Sequence, residues 1–354
     1  MFGSVVAERL TNHGKTCLVV DKSPHIGGTC YTEEIAGITV HKYGAHILHT
    51  NNKTVYDYLA RFCELENYCH QVVADYNGKI LPLPFNMNTF NALWGVVSPL
   101  EAKEKIESQR VPCEDVKTLK DLALSTVGTD IYEKLIKSYT EKQWQRKCQD
   151  LPSSILSAIP LRFTYNNNYF SHSYQAVPKH GYTALFERLL QNADVKLNTC
   201  YKQGKHEADK IIYTGAIDEY FDYCFGRLEY RSLYFEHDDF SAHENFQGCA
   251  VVNYTSSNEP FTRIIEHKHF DKNCDASGTV ITREYPEEFN GTNERYYPIE
   301  TERNLAIYEK YRELAEGSSN VIFAGRLGEY RYIRMSETVE LALKLADEEL
   351  KSGE

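Results

Sequence analysis

A chain of 354 residues with 42% hydrophobic and 25% charged residues has room for two or three domains and the composition of an ordinary soluble globular protein. Its net charge of −11 excludes broad attraction to nucleic acid but leaves room for a local phosphate site. No apolar run approaches the ~18 residues of a membrane-spanning helix, so no membrane span is expected.

No basic region followed by an apolar stretch opens the chain, so no secretory signal is expected. The ten cysteines form no CxxC pair, which fits reduced thiols in the cytoplasm and no metal site. Tyrosine is abundant, at 26 copies. Several cluster with Asn or Arg, a composition suited to lining a sugar-nucleotide cleft.

In chain order, residues 2–13 read as a helix, with Phe2, Val5, Val6 and Leu10 on one stripe and Gly14 as a stop. Thr16 to Val20 then read as a buried strand ending at Asp21. Helix, turn, strand and terminal acid form the second half of a Rossmann unit. The first strand and its glycine turn are expected before Met1. Residues 22–70 carry a Gly-Gly turn, a His-rich stretch and a helix around Val55–Phe62, and residues 87–150 read as mainly helical. Residues 161–174 and 228–300 favour strands through their Tyr, Phe, Thr and Val. Ile211–Thr214 and Val321–Ala324 read as short buried strands closed by glycines. The last helix has Val339, Ala342, Leu343, Ala346 and Leu350 on one face, with Ser336 as N-cap.

Gly3 and Asp21, eighteen positions apart, suit the last glycine of a dinucleotide fingerprint and the acid that meets ribose hydroxyls. The glycine allows a pyrophosphate to approach the helix N-terminus. The paired Gly27 and Gly28 after His25-Ile26 allow a loop to pass close to a flavin nucleotide.

Seven further segments carry a resemblance. They are His41-Lys42-Tyr43-Gly44-Ala45-His46-Ile47-Leu48-His49-Thr50, Leu83 to Phe90, and Tyr139-Thr140-Glu141-Lys142-Gln143-Trp144. Asn167 to Phe170, Thr262 to Phe270, Tyr296-Tyr297-Pro298 and Gly325-Arg326-Leu327 complete the set. Together and in this order, they resemble the bacterial UDP-galactopyranose mutases over nearly the whole chain.

That resemblance implies an α/β fold: an FAD-binding Rossmann-type domain lacking its first strand, an inserted helical domain and an antiparallel β-sheet domain. The implied boundaries are 1–70 plus 175–227 plus 318–354 for the first, 87–160 for the second, and 71–86 plus 161–174 plus 228–317 for the third. The implied activity interconverts UDP-galactopyranose and UDP-galactofuranose through a flavin N5–sugar adduct, for galactofuranose-containing surface polysaccharide. Reduced FAD is the implied active cofactor, NAD(P)H the reductant, a UDP-galactose-type nucleotide sugar the substrate, and a homodimer the assembly.

By matching motif, His46 sits against the flavin. Asn86 and Asn253 resemble sugar-facing amides, and Tyr139 and Trp144 the uridine-side aromatics, with Trp144 on a mobile loop. Arg263 resembles the diphosphate-binding arginine, whose planar fork suits phosphate oxygens. Tyr169, Tyr297 and Tyr332 resemble hydroxyl donors to the same phosphates. Gly3, Asp21, Gly27, Gly28, His46, Gly325, Arg326 and Met335 are the implied cofactor contacts. His46, Arg263, Tyr297 and Tyr332 are the implied catalytic group.

The chain departs from the family pattern in three places besides the expected first strand. Ala158 stands where a clamping arginine is usual, Arg334 where an aspartate is usual, and His180 where a glycine is usual. If these departures cost the chemistry, the alternative is a truncated or degenerate mutase-like protein that binds nucleotide sugar with weak, altered or no activity.

Overall fold

A computed structural model describes residues 1–155, 159–202, 208–240, 242–318 and 320–352. The chain opens with α1 (Phe2–Thr11), which buries Phe2, Val5 and Val6 and leads to β1 (Leu18–Val20). A hairpin of β2 (Thr32–Ile35) and β3 (Ile38–His41) follows, then β4 (Leu48–Thr50). Next comes α2 (Lys53–Ala60), capped by Asn52, whose side chain accepts from the Thr54 and Val55 amides. Strands β5 (Leu65–Asn67), β6 (Val72–Tyr76) and β7 (Lys79–Leu83) lead into a helical stretch. It holds α3 (Met87–Trp94), α4 (Pro99–Gln109), α5 (Leu119–Ile131) and, after a π-turn at Tyr132–Lys137, α6 (Ser138–Trp144). Asn86, Ser98 and Thr118 each close a capping box at the starts of α3, α4 and α5.

The chain then returns through β8 (Tyr174–Pro178), α7 (Gly181–Leu189), β9 (Asp194–Lys196), β10 (Ile211–Tyr213) and the single turn α8 (Ile217–Tyr220). The strand-rich part contains β11 (Tyr230–Phe240), β12 (Val251–Tyr254), β13 (Arg263–Glu266), β14 (Thr279–Glu288) and β15 (Tyr297–Pro298). Helix α9 (Glu302–Glu316), β16 (Val321–Phe323), the short α10 (Gly325–Gly328) and α11 (Met335–Ser352) end it.

The strand-rich part forms one seven-stranded sheet in the order β15-β11-β14-β13-β12-β6-β7. All its neighbours are antiparallel except β12 and β6. The helical stretch lies on it: Phe90, Ala102, Leu119, Val127 and Ile131 share one apolar core with Val72, Leu81, Val251 and Ile265. The Rossmann part is built differently. β1 pairs parallel with β9, and β10 parallel with β16, as two separate two-stranded sheets. Helices α1, α7 and α11 join them through a second core around Val5, Leu185, Val339 and Ala342.

Three sequence expectations are corrected here. The segment 161–173 forms no strand; its three consecutive asparagines turn the chain instead, with the Asn166 side chain accepting from the Asn168 amide. Within the expected buried strands only Ala324 is fully buried; the rest are partly buried or exposed and Leu18 is 42% exposed, β1 and β10 lining a cavity. Ser336 lies inside the first turn of α11, since the helix already starts at Met335 and the Thr338 amide reaches the Arg334 carbonyl at 2.8 Å.

Candidate active site

One cavity of about 2250 Å³ runs from the parallel strand pairs to the seven-stranded sheet. On the Rossmann side it is bordered by Gly3 in the first turn of α1 and Asp21 after β1. Gly27 and Gly28, Gly325 and Arg326 after β16, and Met335 at the start of α11 complete that side. A Cβ at Gly3 would meet nothing within 4 Å, so α1 presents bare backbone to the cavity. Gly27 (φ 91°) is required by its conformation and by contact, because a Cβ there would come within 2.8 Å of the Phe186 ring. Asp21 is fixed by β9: its amide donates to the Lys196 carbonyl at 3.0 Å, and its Oδ1 accepts from the Ser23 amide at 2.8 Å. Bare backbone and helix N-termini are the features that receive a pyrophosphate.

His46 stands midway and is held by a relay of histidines. Its amide donates to His41 Nδ1 at 3.0 Å, and the His41 amide donates to His267 Nδ1 at 3.2 Å. His267 Nε2 meets the Thr282 hydroxyl at 2.6 Å. Burial lowers His41 to about 3 and holds His267 well below its ordinary value, so both rings stay neutral and accept at Nδ1. The His46 ring is oriented by its own turn, with Nδ1 donating to the Gly44 carbonyl at 2.8 Å. Gly44 has φ 92°, and a Cβ there would press on Phe235 at 3.2 Å.

The sheet side is organised around Arg263, at the start of β13. Its Nη2 donates to the Tyr139 hydroxyl at 2.7 Å, and its Nε lies 3.2 Å from Glu284 Oε1 on β14 without forming an aligned hydrogen bond. Burial opposes the Arg263 charge, but Glu284 outweighs it and holds the guanidinium charged. Burial pushes Tyr139 up to about 12 and raises Tyr297 too, so both remain neutral hydroxyl donors. Tyr169 is anchored through its amide to the His70 carbonyl at 2.7 Å. Arg326 donates to the Tyr296 and Ile333 carbonyls at 2.9 and 3.0 Å, and its guanidinium lies 4.8 Å from the centre of the Tyr332 ring. The Tyr297 and Tyr332 rings are 5.9 Å apart. Asn253 Oδ1, on β12 and at the cavity wall, is buried with no hydrogen-bond partner, an orphaned acceptor that a ligand donor would satisfy.

Of the residues singled out in the sequence, the structure does not bring Asn86 and Trp144 to this cavity. Asn86 is fully buried at the start of α3, where its Oδ1 accepts from the Asn88 and Thr89 amides. Its Nδ2 donates to the Asn166 carbonyl and to Asn167 Oδ1. Both ends of that amide are spent inside the fold, which corrects the reading of Asn86 as sugar-facing. Trp144 ends α6 and packs, partly buried, on the core beneath the sheet. Ala158 lies outside the described residues. Arg334 borders the cavity near His49 and His172, and burial first and then Arg334's charge lower His172.

Sequence reasoning passed over Glu284, the Arg263 counter-ion, because a glutamate next to Arg283 in the charged second half of β14 reads as solvent-facing. It also passed over His41 and His267 as a relay; both stand inside the quoted motifs, but only the fold joins them.

Residues 1–62 match the model of the NAD(P)-binding Rossmann-like domain, which with the cavity places the chain among proteins built on that dinucleotide-binding fold. Residues 134–332 match the UDP-galactopyranose mutase family model. The chain is 38% identical over 360 residues to a probable UDP-galactopyranose mutase of Klebsiella pneumoniae, covering 99% of this chain and 92% of that one. It is 33% identical over 364 residues to a dTDP-fucopyranose mutase of Escherichia coli, covering 99% and 96%. A solved structure described as reduced UDP-galactopyranose mutase shares the fold, with a TM-score of 0.76 at 13% identity over 98% of this chain and 93% of that one. The chain belongs to the UDP-galactopyranose mutase family.

Proposed function

We propose that the protein is a flavin-dependent mutase that interconverts UDP-galactopyranose and UDP-galactofuranose, an intramolecular transferase. The observation that carries this reading is the single cavity joining bare-glycine Rossmann turns to the cluster of Arg263, Tyr139, Tyr169 and Tyr297. Family membership narrows that geometry to one class of chemistry.

FAD fits the Rossmann side: the exposed backbone at Gly3, the left-handed turn at Gly27 and Gly28, Asp21 and the start of α11 are suited to a dinucleotide. Gly325 and Arg326 face the same space, beside His46. Bound and reduced, with NAD(P)H as the electron source, FAD supplies the nucleophile for a sugar carbon. The chain's own residues do the remainder. Arg263, whose buried charge Glu284 stabilises, meets the diphosphate. Tyr169, Tyr297 and Tyr332 donate hydroxyl hydrogen bonds to it, and Asn253 takes a sugar hydroxyl on its free oxygen. Cytoplasmic location, a homodimer and supply of galactofuranose for surface polysaccharide complete this reading, together with the three-domain division stated above.

The test is turnover of UDP-galactofuranose by purified protein supplied with FAD and dithionite, followed by chromatography of the two UDP-sugars. No turnover under reducing conditions, with FAD shown to be bound, would sink the proposal. The relative named dTDP-fucopyranose mutase makes dTDP-fucopyranose the competing substrate in the same assay. A higher kcat/KM for it would move the assignment to the deoxysugar.

A further inference from the structure

Lys142 follows Tyr139 by three positions on α6, and its ammonium is turned to the sheet. Nζ donates to the carbonyls of Tyr254 at 2.8 Å, Glu259 at 3.1 Å and Phe261 at 2.9 Å. An ammonium has three donors, so all of them are spent on backbone. The three carbonyls belong to one stretch, from the last residue of β12 to the turn before β13. Asn253 and Arg263, which pair across those strands, flank it at its two ends.

That stretch is also closed on itself. The Tyr254 amide donates to the Thr262 carbonyl at 2.9 Å, the Ser256 hydroxyl donates to Glu259 Oε2 at 2.7 Å, and the Tyr254 and Phe261 rings meet edge-on at 4.8 Å. On the helix side, the Tyr139 hydroxyl accepts from Arg263 Nη2 at 2.7 Å. Two ties therefore join the same helix to the same hairpin. Tyr139 makes one at the cavity, and Lys142, which does not border the cavity, makes the other behind it.

The titratable and charged groups packed about the amine are Glu259 on the loop and the Tyr254 phenol, with Asp75 on β6 and Arg283 on β14 beyond that ring. On α6 itself, Glu141 is taken by Lys147. Burial lowers the Lys142 amine to about 8, against the opposing pull of Glu259. Above that value the amine loses its charge and one donor, and one of the three carbonyls is left unpaired.

We propose that Lys142 is a positioning residue for the diphosphate site: its ammonium fastens the helix carrying Tyr139 to the loop that joins Asn253 and Arg263, and so sets the spacing between the two sides of the site. The proposal rests on the reading of this cluster as the UDP site.

The test is calorimetry with UDP on the parent, Lys142→Met, Lys142→Arg and Lys268→Met. Lys268 is the comparison because its ammonium also meets three carbonyls, those of Glu244, Ala276 and Gly278, away from the cavity. Lys142→Met should weaken UDP binding by about 2–30-fold, and Lys268→Met should leave it unchanged. No loss in Lys142→Met, or an equal loss in both, overturns the proposal. Between about pH 7 and about pH 9 the parent's affinity should fall by up to about tenfold as the amine discharges. The uracil of UDP also begins to lose a proton there, and Lys142→Arg, charged throughout, reads that part alone. A parent that falls no further than Lys142→Arg overturns the proposal, and this arm holds even where Lys142→Met does not fold.

Hydrogen exchange without ligand reads the fastening by itself. Residues 138–144 and 254–262 should exchange faster in Lys142→Met than in the parent, with β11 unchanged. Unchanged exchange in those segments overturns the proposal whether or not UDP binds. Faster exchange there in a protein whose parent binds no UDP would instead overturn the UDP reading and leave the fastening in place.

Discussion

In the seven-stranded sheet, β11 and β14 stay in register over ten residue pairs, and Arg263 lies on β13 with Glu284 directly opposite on β14. In the Rossmann region, β1 and β9 share three pairs and β10 and β16 another three, with no ladder between the two sets. Arg263 is thus positioned by a ladder whose cross-strand residue, Glu284, is also its counter-ion. Gly3, Asp21, Gly325, Arg326 and Met335 sit at the ends of short strands and helices, held mainly by the packing of α1 against α11 and α7. Long ladders with buried neighbours resist local opening, and short pairs with solvent-facing edges do not. One half of the cavity is therefore organised before any ligand arrives, and the other gains the most order from a ligand.

The largest expected effect falls on the organised half. Arg263→Ala removes the charged donor and leaves Glu284 buried beside neutral groups. Losing a charge-assisted hydrogen bond costs about 1.5–3 kcal/mol, or roughly 10–150-fold in affinity. Calorimetry with UDP should show a loss of that size or more. The double variant Arg263→Ala/Glu284→Gln should recover stability but not UDP affinity. Recovery of affinity would show that the arginine acts only as the partner of the glutamate.

A second contrast is set by pH. His41 and His267 are neutral in the folded protein, with values depressed well below that of an unfolded histidine. Their contribution is fully present above the unfolded value of ~6.5. It is lost as pH falls from there toward about 3, because the unfolded chain takes up the protons first. Each should remove about 1.4 kcal/mol per pH unit below that point. Urea unfolding at descending pH, with His267→Gln as the comparison, should show the variant with the shallower slope. Equal slopes would separate the histidine relay from the stability of this wall.

The Rossmann half should respond most to its ligand. At a hundredfold excess over Kd, FAD should stabilise the chain by about 2.7 kcal/mol. Hydrogen exchange should slow more in β1 and β10 than in β11 and β14. Uniform slowing would mean that the two halves open together, and the comparison would fail.

How much of this was legible in the sequence follows the same division. Short-range signals served well: the α1 stripe of Phe2, Val5 and Val6, the two-glycine turn, and the last helix with Val339, Ala342 and Ala346 on its buried face. Motif resemblance supplied Arg263, Tyr139, Tyr297 and Arg326, and the structure brings all four to one cavity. Pairing across distance stayed hidden. Glu284 is 21 positions beyond Arg263, and His267 is 226 beyond His41, so neither partnership leaves a local pattern. The stretch 161–173 was misread because aromatic content outweighed its asparagine turns.

Asn86 carries the smallest expected effect and separates resemblance from geometry most cleanly. Resemblance places it toward the sugar, whereas the structure places it under α3 with every polar atom engaged. Replacing an N-cap by alanine costs ~0.5–2 kcal/mol, and this cap also ties α3 to the asparagine turn at 166–167. Asn86→Ala should therefore lower the unfolding free energy by about that amount and leave UDP affinity within a factor of ~2 of the parent. Asn86→Asp keeps the acceptor for the Asn88 and Thr89 amides but loses the donor to Asn166 and Asn167, so its stability should fall between the two. UDP alone does not probe a sugar contact, so UDP-galactose must be titrated beside it. If Asn86→Ala weakens UDP-galactose binding while UDP binding and stability hold, the amide turns toward the sugar in the complex, and α3 rather than Arg263 is the part of the site that rearranges.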